Sequence, residues 1–290
     1  MLRRLRTLTD QALGATYRSI LPTVVVKDAL GAPFSLTAGG VPRFLYRTWK
    51  SRDVDILHNI QIRKLCRLNP EWSFYFFDDN SMHEFMEEYY QGTQLLKIFR
   101  NVKVPVVKAD IWRLAILYIR GGCYLDFDSH ILNPLDEIVG NDSEKFSMET
   151  NLLSDYLLPS PCPTGSFFDE NREEFIAKGM DAQGIFLNWC FFTSAEHPLL
   201  KMALETIEEN SEYFAGKTFG NAHLAVLNFA GPVLLTQAVW KYVLSGYHLS
   251  VDGADFSGKA VFKSAPRFGT YSKHGHYTKQ RDSMILEALS

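Results

Sequence analysis

Asp126 and Asp128 bracket Phe127 directly after the apolar run Cys123-Tyr124-Leu125, which itself follows Gly121-Gly122. Such a run reads as a short buried strand, and side chains two apart on a strand point to the same side. Asp126 and Asp128 can therefore meet one ligand while Phe127 turns to the other side. Two carboxylates held together repel unless a proton or a cation lies between them, and hard oxygen donors suit Mg2+ or Mn2+. A divalent ion at this position would bridge a bound diphosphate. An Asp-x-Asp by itself is also what a solvated turn looks like; the buried strand and the Gly-Gly stop ahead of it favour a site.

A second pair stands one element earlier. Asp110 and Arg113 are three residues apart in Val106 to Ile119, a long apolar stretch without Gly or Pro that reads as a buried helix, with both charges on one face. Charges on a buried helix are costly unless something answers them. The two can answer each other as an internal salt bridge. Alternatively both face a cleft, Asp110 accepting hydrogen bonds from sugar hydroxyls and Arg113 donating to a diphosphate or hexose through its planar, multi-donor head.

The surrounding pattern supplies elements to hold these residues. Val24-Val25-Val26 and Val41 to Tyr46 read as short strands, and the first 40 or so residues as an extension ahead of the core. Val54 to Leu68 has helical spacing and ends at Asn69-Pro70; Trp72 to Phe77 is a buried strand closing on Asp78-Asp79. Ser81 with Glu84 predicts a capping box and a helix from Met82. Further on, the chain turns at Asn133-Pro134, Gly184 to Thr193 reads as a core strand or short helix, and helices are expected over Pro198 to Glu209 and from Gly231-Pro232 to Leu244. Asn151 to Glu174, with Pro159, Pro161 and Pro163, reads as a long loop and a candidate acceptor lid. Strands alternating with helices predict an α/β sheet.

The bulk numbers narrow the class. In 290 residues, 46% are hydrophobic and no Pro/Gly/Ser-rich linker divides them, so one α/β domain with insertions can bury its core without staples. Cys66, Cys123, Cys162 and Cys190 fall at wide spacings that suit no zinc site and read as buried thiols. A net charge of −3 offers no basic field for nucleic acid, which is excluded as an expected partner. No apolar run is expected to reach the roughly 20 residues of a membrane span. Arg3, Arg4 and Arg6 among leucines in Met1 to Thr9 read either as a frayed, solvated terminus or as a short basic helix on an anionic membrane surface; with no secretory signal, the expected location is cytoplasmic, and in the second case peripheral on the inner face of the membrane.

The run Lys108-Ala109-Asp110-Ile111-Trp112-Arg113, then Leu117-Tyr118 and Gly121-Gly122-Cys123-Tyr124-Leu125-Asp126-Phe127-Asp128, resembles the sugar-binding region containing the DXD motif of glycosyltransferase family 32. That family includes yeast initiating α-mannosyltransferases and bacterial polysaccharide transferases, and its core is similar to that of the large clostridial glucosylating toxins. Arg47-Thr48-Trp49 resembles the family's opening His-Gln-x-Trp, with Tyr46-Arg47 where His-Gln is usual, and Ala230-Gly231-Pro232 resembles its late Thr-Gly-Pro. The likeness runs from about Val41 to Leu244.

The resemblance implies an α/β fold of GT-A type, a Rossmann-like mixed sheet flanked by helices. Residues 1–40 would be the extension and 41–290 a single catalytic domain, with a nucleotide-sugar-binding half at about 41–140 and an acceptor-side half at about 141–290. It implies retaining transfer of a hexose from a UDP- or GDP-hexose, with Mn2+ or Mg2+, to a saccharide or glycolipid acceptor in polysaccharide, lipopolysaccharide or glycan synthesis. By position, Trp49 would stack on the base, Asp110 and Arg113 would hold the donor, Asp126 would contact ribose or metal-bound water, and Asp128 would ligate the metal. The family's C-terminal Gly-Ser-Trp-like segment is missing; Lys273-His274-Gly275-His276-Tyr277 reads either as a solvated basic loop or as the source of a third metal ligand, for which His276 is the candidate. Glu149, Asp169 and Asp181 are unassigned acids near the acceptor side, and no general base is named. Two other readings compete. A haloacid-dehalogenase-type phosphatase also uses Asp-x-Asp but carries Thr or Val two places past the second Asp, where Ser129-His130 stand here. A non-catalytic carbohydrate-binding relative is opposed by the intact aspartate pair.

Overall fold

The computed structural model describes residues 22–31, 33–150, 152–261 and 283–289. The basic segment Met1 to Thr9 and the candidate ligand His276 lie outside the described residues. Strands in chain order are β1 (Thr23–Val25), β2 (Phe44–Thr48), β3 (Asp53–Asp55), β4 (Ser73–Phe77), β5 (Gly122–Leu125), β6 (His130–Ile131) and β7 (Glu144–Glu149). They continue with β8 (Ile185–Phe186), β9 (Cys190–Thr193), β10 (Thr218–Phe219), β11 (Val251–Gly253), β12 (Ala260–Val261) and β13 (Ser283–Met284). The helices are α1 (Ile56–Leu68), α2 (Asp79–Tyr89), α3 (Gln94–Asn101), α4 (Pro105–Arg120) and α5 (Leu135–Val139), then α6 (Leu153–Tyr156), α7 (Pro163–Ala177), α8 (Pro198–Phe214), α9 (Ala222–Phe229) and α10 (Pro232–Leu244).

A seven-stranded mixed sheet in the order β11-β7-β9-β5-β2-β4, with β8 added to β7, forms the centre. β4, β2 and β5 run parallel, whereas β9 lies antiparallel between β5 and β7. Both faces are covered, which is why β5 is buried along its whole length rather than alternately. Alternation instead sorts its side chains between two cores. Tyr46, Tyr124 and Phe191 pack with α4, α8 and α10 on one face, and Leu45, Cys123, Leu125 and Phe192 pack with Ile62, Leu65 and Leu135 on the other. The expected mixed sheet flanked by helices is therefore observed.

Helix α4 matches its expected span because local chemistry sets both ends. Pro105 occupies its first turn, and Gly121 ends it at φ +63°. Gly122, at φ +112°, follows in contact with the neighbouring strand: a Cβ there would meet Phe44 O at 2.5 Å. The Gly-Gly stop is thus a steric requirement of the close β2–β5 approach.

Several boundaries differ from expectation. The strand expected over Val41 to Tyr46 runs from Phe44 to Thr48, since Pro42 bridges Leu36 outside the sheet and lacks an N–H for the ladder. Val54 belongs to β3, not to the helix; Asp55 caps α1, accepting from Leu57 N and His58 N at 3.0 Å. The capping box is formed by Asp78 and Ser81 rather than Ser81 and Glu84, so α2 begins at Asp79. Asp78 accepts Ser81 N at 2.9 Å, and that hydrogen bond holds its carboxyl below the usual range. Gly184 to Thr193 contains two strands, β8 and β9. The long loop expected over Asn151 to Glu174 is largely helical: Pro163 is tolerated in the first turn of α7, where its missing N–H costs nothing. Asp169 is exposed on that helix, and Asp181 accepts the Gln183 N–H at 2.8 Å. Finally, the 23-residue helical stretch Ala222–Leu244 is long and apolar enough to cross a bilayer, contrary to the expectation of no such run, but most of it is buried inside the fold.

Candidate functional site

Because β2, β4 and β5 are parallel, their carboxyl ends open on one edge of the sheet and deliver Trp49, Asp78 and Asp126 there. β9 is antiparallel to β5 with Leu125 opposite Cys190, so its entering residues Asn188 and Trp189 reach the same edge. Strand ends of this kind, flanked by helices, are where open α/β sheets bind ligands. Helix α4 lies against them, presenting Asp110 and Arg113.

Arg113 is the hub. Its Nη2 lies 2.9 Å from Asp110 Oδ1 and 3.3 Å from Asp126 Oδ1, and its Nη1 donates to the Asn188 carbonyl. Asn188 Nδ2 donates to Asp110 Oδ1 at 3.1 Å, and the Tyr124 hydroxyl donates to Asp126 Oδ1 at 2.8 Å. The Arg113 guanidinium also stacks over the Tyr124 ring, 4.4 Å from its centroid. Asp110 and Arg113 each keep only 5% of their side-chain surface exposed, whereas Asp126 keeps 26%. The internal salt bridge and the shared face are thus both present. Burial pushes the Asp110 carboxyl up to about 7; Arg113 and the Asn188 hydrogen bond pull it back, while Asp126 pushes it further.

Asp126 to Ser129 make a turn closed by Ser129 N donating to Asp126 O at 3.1 Å, rather than a prolongation of β5. Within this turn Asp126 and Asp128 are half-buried and Phe127 is buried. Phe127 sits in a three-ring stack, 4.7 Å from Trp49 on one side and 4.7 Å from His58 on the other. Trp49 is thereby held half-buried at the sheet edge by the central residue of the Asp-Phe-Asp turn. Beneath the turn lies Arg47, 2% exposed, whose Nη2 donates to the Ser129 carbonyl. Burial lowers its pKa to about 10 against the pull of Asp128, Tyr124 and Asp126, so it remains a cation at neutral pH.

Asp110, Arg113 and Asp126 are therefore brought into contact, Asp128 lies on the same turn, and Trp49 adjoins it through Phe127. Glu149, at the carboxyl end of β7, shares the sheet edge, whereas Asp169 stands on an outer helix. Tyr124, Asn188 and the position of Arg47 were not singled out from the sequence. Asn188 carried a signal: it is the one amide within Ile185 to Thr193, a run otherwise made mostly of apolar side chains. Two surface grooves, one among Phe167, Met202 and Lys241 and the other among Gln94, Glu208 and Glu212, contain none of these residues.

Among the described residues no three His, Cys, Asp or Glu side chains gather where they could hold a metal ion. Asp126 and Asp128, half-buried on one turn, are of the donor type that Mn2+ and Mg2+ accept, since such ions are commonly held by one or two carboxylates together with substrate phosphates.

Residues 57–145 match the family model described as "Glycosyltransferase sugar-binding region containing DXD motif", a segment that contains Asp110, Arg113, Asp126 and Asp128. The chain is 24% identical over 224 residues to inositol phosphoceramide mannosyltransferase 1 of Schizosaccharomyces pombe, covering 76% of this chain and 57% of that relative. It is 27% identical over 182 residues to the initiation-specific alpha-1,6-mannosyltransferase of Candida albicans, covering 60% and 45%. The chain thus spans about half the length of these curated relatives. Among solved structures, the PaToxG glycosyltransferase is similar over 82% of this chain and 75% of its own, with a TM-score of 0.45 and 12% identity. The resemblance drawn from the residues is borne out.

Proposed function

We propose that this chain, whose residues 57–145 match a DXD-type glycosyltransferase sugar-binding region, moves a hexose from a nucleoside-diphosphate sugar to a saccharide or glycolipid acceptor with retention at the anomeric carbon. The observation that carries the reading is the contact of Arg113 with both Asp110 and Asp126 at the carboxyl ends of parallel strands. A guanidinium held there by two carboxylates and a carbonyl is pre-oriented, and the ordering entropy is already spent before a ligand arrives.

In this reading the half at about 41–140 holds the donor and the half at about 141–290 the acceptor. Trp49, fixed against Phe127, stacks on the base. Asp126 and Asp128 would hold Mn2+ or Mg2+ together with the diphosphate, His276 being the candidate third ligand. The bound ion would supply Lewis-acid neutralisation of charge on the diphosphate. Arg113 donates to the diphosphate or hexose, and Asp110, kept in place by Asn188, accepts from sugar hydroxyls. As the anomeric C–O bond breaks, the nucleoside diphosphate leaves with the electron pair. The acceptor oxygen bonds to the same face of that carbon, and its proton passes to the departing phosphate, so no side chain is assigned as base.

Both named relatives are mannosyltransferases, one of them by name of inositol phosphoceramide, and these names support a reading with mannose as the donor sugar and a glycolipid as the acceptor. The test is incubation with UDP- and GDP-hexoses and Mn2+ or Mg2+, following free nucleoside diphosphate. Release from one donor is expected. Cleavage of a phosphate ester instead would establish the phosphatase, and binding of a nucleotide sugar without turnover the non-catalytic relative.

A further inference from the structure

Asp110 and Asp126 meet Arg113 at this edge, and Asp128 stands on the same turn as Asp126. Arg47 brings a second positive charge from the opposite side of the turn. It is the fourth residue of β2, inside the fold, so it touches no ligand. Its Nη2 donates to the carbonyl of Ser129, the residue after Asp128, while its Nε finds no hydrogen-bond acceptor among the described residues. A guanidinium buried with a donor unsatisfied is costly unless charge compensates it. The aspartate that attracts it most is Asp128, with Asp126 behind.

We propose that Arg47 is a built-in counter-cation of the Asp126–Asp128 turn, which keeps the turn neutralised and in shape without a divalent ion and opposes ion capture until a nucleoside diphosphate brings its own negative charges. The inference rests on the reading of Asp126 and Asp128 as the metal-binding carboxylates. Arg47 is accordingly a positioning residue that acts through them. A fixed positive charge that pulls on a cation's carboxylate ligands also repels the cation, and a diphosphate offsets that repulsion.

The test measures Mn2+ binding to the full chain without nucleotide, from the electron paramagnetic resonance signal of free Mn2+. R47Q removes the charge and should bind Mn2+ about tenfold tighter than the wild type. R47K keeps the charge and should stay within about twofold of the wild type. A mere structural anchor for Ser129 gives the opposite sign, because a loosened turn binds the ion more weakly; equal or weaker binding by R47Q overturns the proposal. A second measurement needs no variant. UDP or GDP should tighten Mn2+ binding to the wild type, because the diphosphate offsets the Arg47 charge; Mn2+ binding left unchanged by both nucleotides overturns the proposal as well. Either failure leaves the transferase reading intact so long as the wild type still releases nucleoside diphosphate from a nucleotide sugar.

Discussion

Arg113 Nη2 stands 3.3 Å from Asp126 Oδ1 and so ties the middle of helix α4 to the end of strand β5. The same nitrogen is 2.9 Å from Asp110, and Asn188 closes the circuit from the start of β9. Groups bound this way respond as a unit, so single substitutions will not add.

Arg113→Lys keeps the charge but loses the fork that reaches Asp110, Asp126 and the Asn188 carbonyl together. Transfer should fall by about 100-fold or more in kcat/KM. Arg113→Ala should in addition lower the unfolding free energy by roughly 3–5 kcal/mol, because it leaves Asp110 as an unpaired buried carboxylate. Wild-type kinetics in the lysine variant would remove Arg113 from the donor site.

Asp128 is half-buried on a turn held by Ser129 N and by Arg47. Asp128→Asn preserves shape and removes one charge, so the protein should still fold, with a lower melting temperature because buried Arg47 loses its strongest counter-charge, while turnover drops by about 100-fold or more. Unchanged transfer rates in a folded D128N protein would reject its role toward the metal.

Asp110 carries a pH signature. Its carboxyl is raised by burial to about 7, against about 4 in an unfolded chain. A group raised on folding contributes its stability fully below the unfolded value, and that contribution is lost as pH climbs through the folded value. The asparagine in D110N cannot ionise. The unfolding free energy of the wild type relative to D110N should therefore fall between pH 4 and pH 8 by on the order of 4 kcal/mol. Denaturant titrations at several pH values measure this, and parallel profiles for the two proteins would contradict the burial effect.

Gly122→Ala should cost about 2–4 kcal/mol of stability, since its Cβ would come 2.5 Å from Phe44 O at a φ of +112°. Gly92, at φ +79° with nothing within 4 Å, is the control: alanine there bears only the backbone penalty of about 1–2 kcal/mol. Equal denaturation midpoints for the two variants would mean that the β2–β5 approach tolerates a side chain.

The amino-acid order alone determined what depends on near neighbours: the buried helix Pro105–Arg120, the Gly-Gly stop, the strand before Asp126 and the three-residue spacing that pairs Asp110 with Arg113. Capping was half legible, because Asp78 and Ser81 compete for the same role and only the built turn selects between them. The prolines of 159–163 suggested a loop, yet one of them starts a helix, since the first turn tolerates a missing N–H. What tertiary structure decided is which distant groups answer the buried charges. Asn188 meets Asp110 across 78 residues and Arg47 meets Ser129 across 82, through strand pairings that put β9 and β2 on either side of β5. Local pattern carries no record of such partners, because a buried charge specifies only that something must compensate it, whereas the sheet order specifies which residue stands close enough to do so.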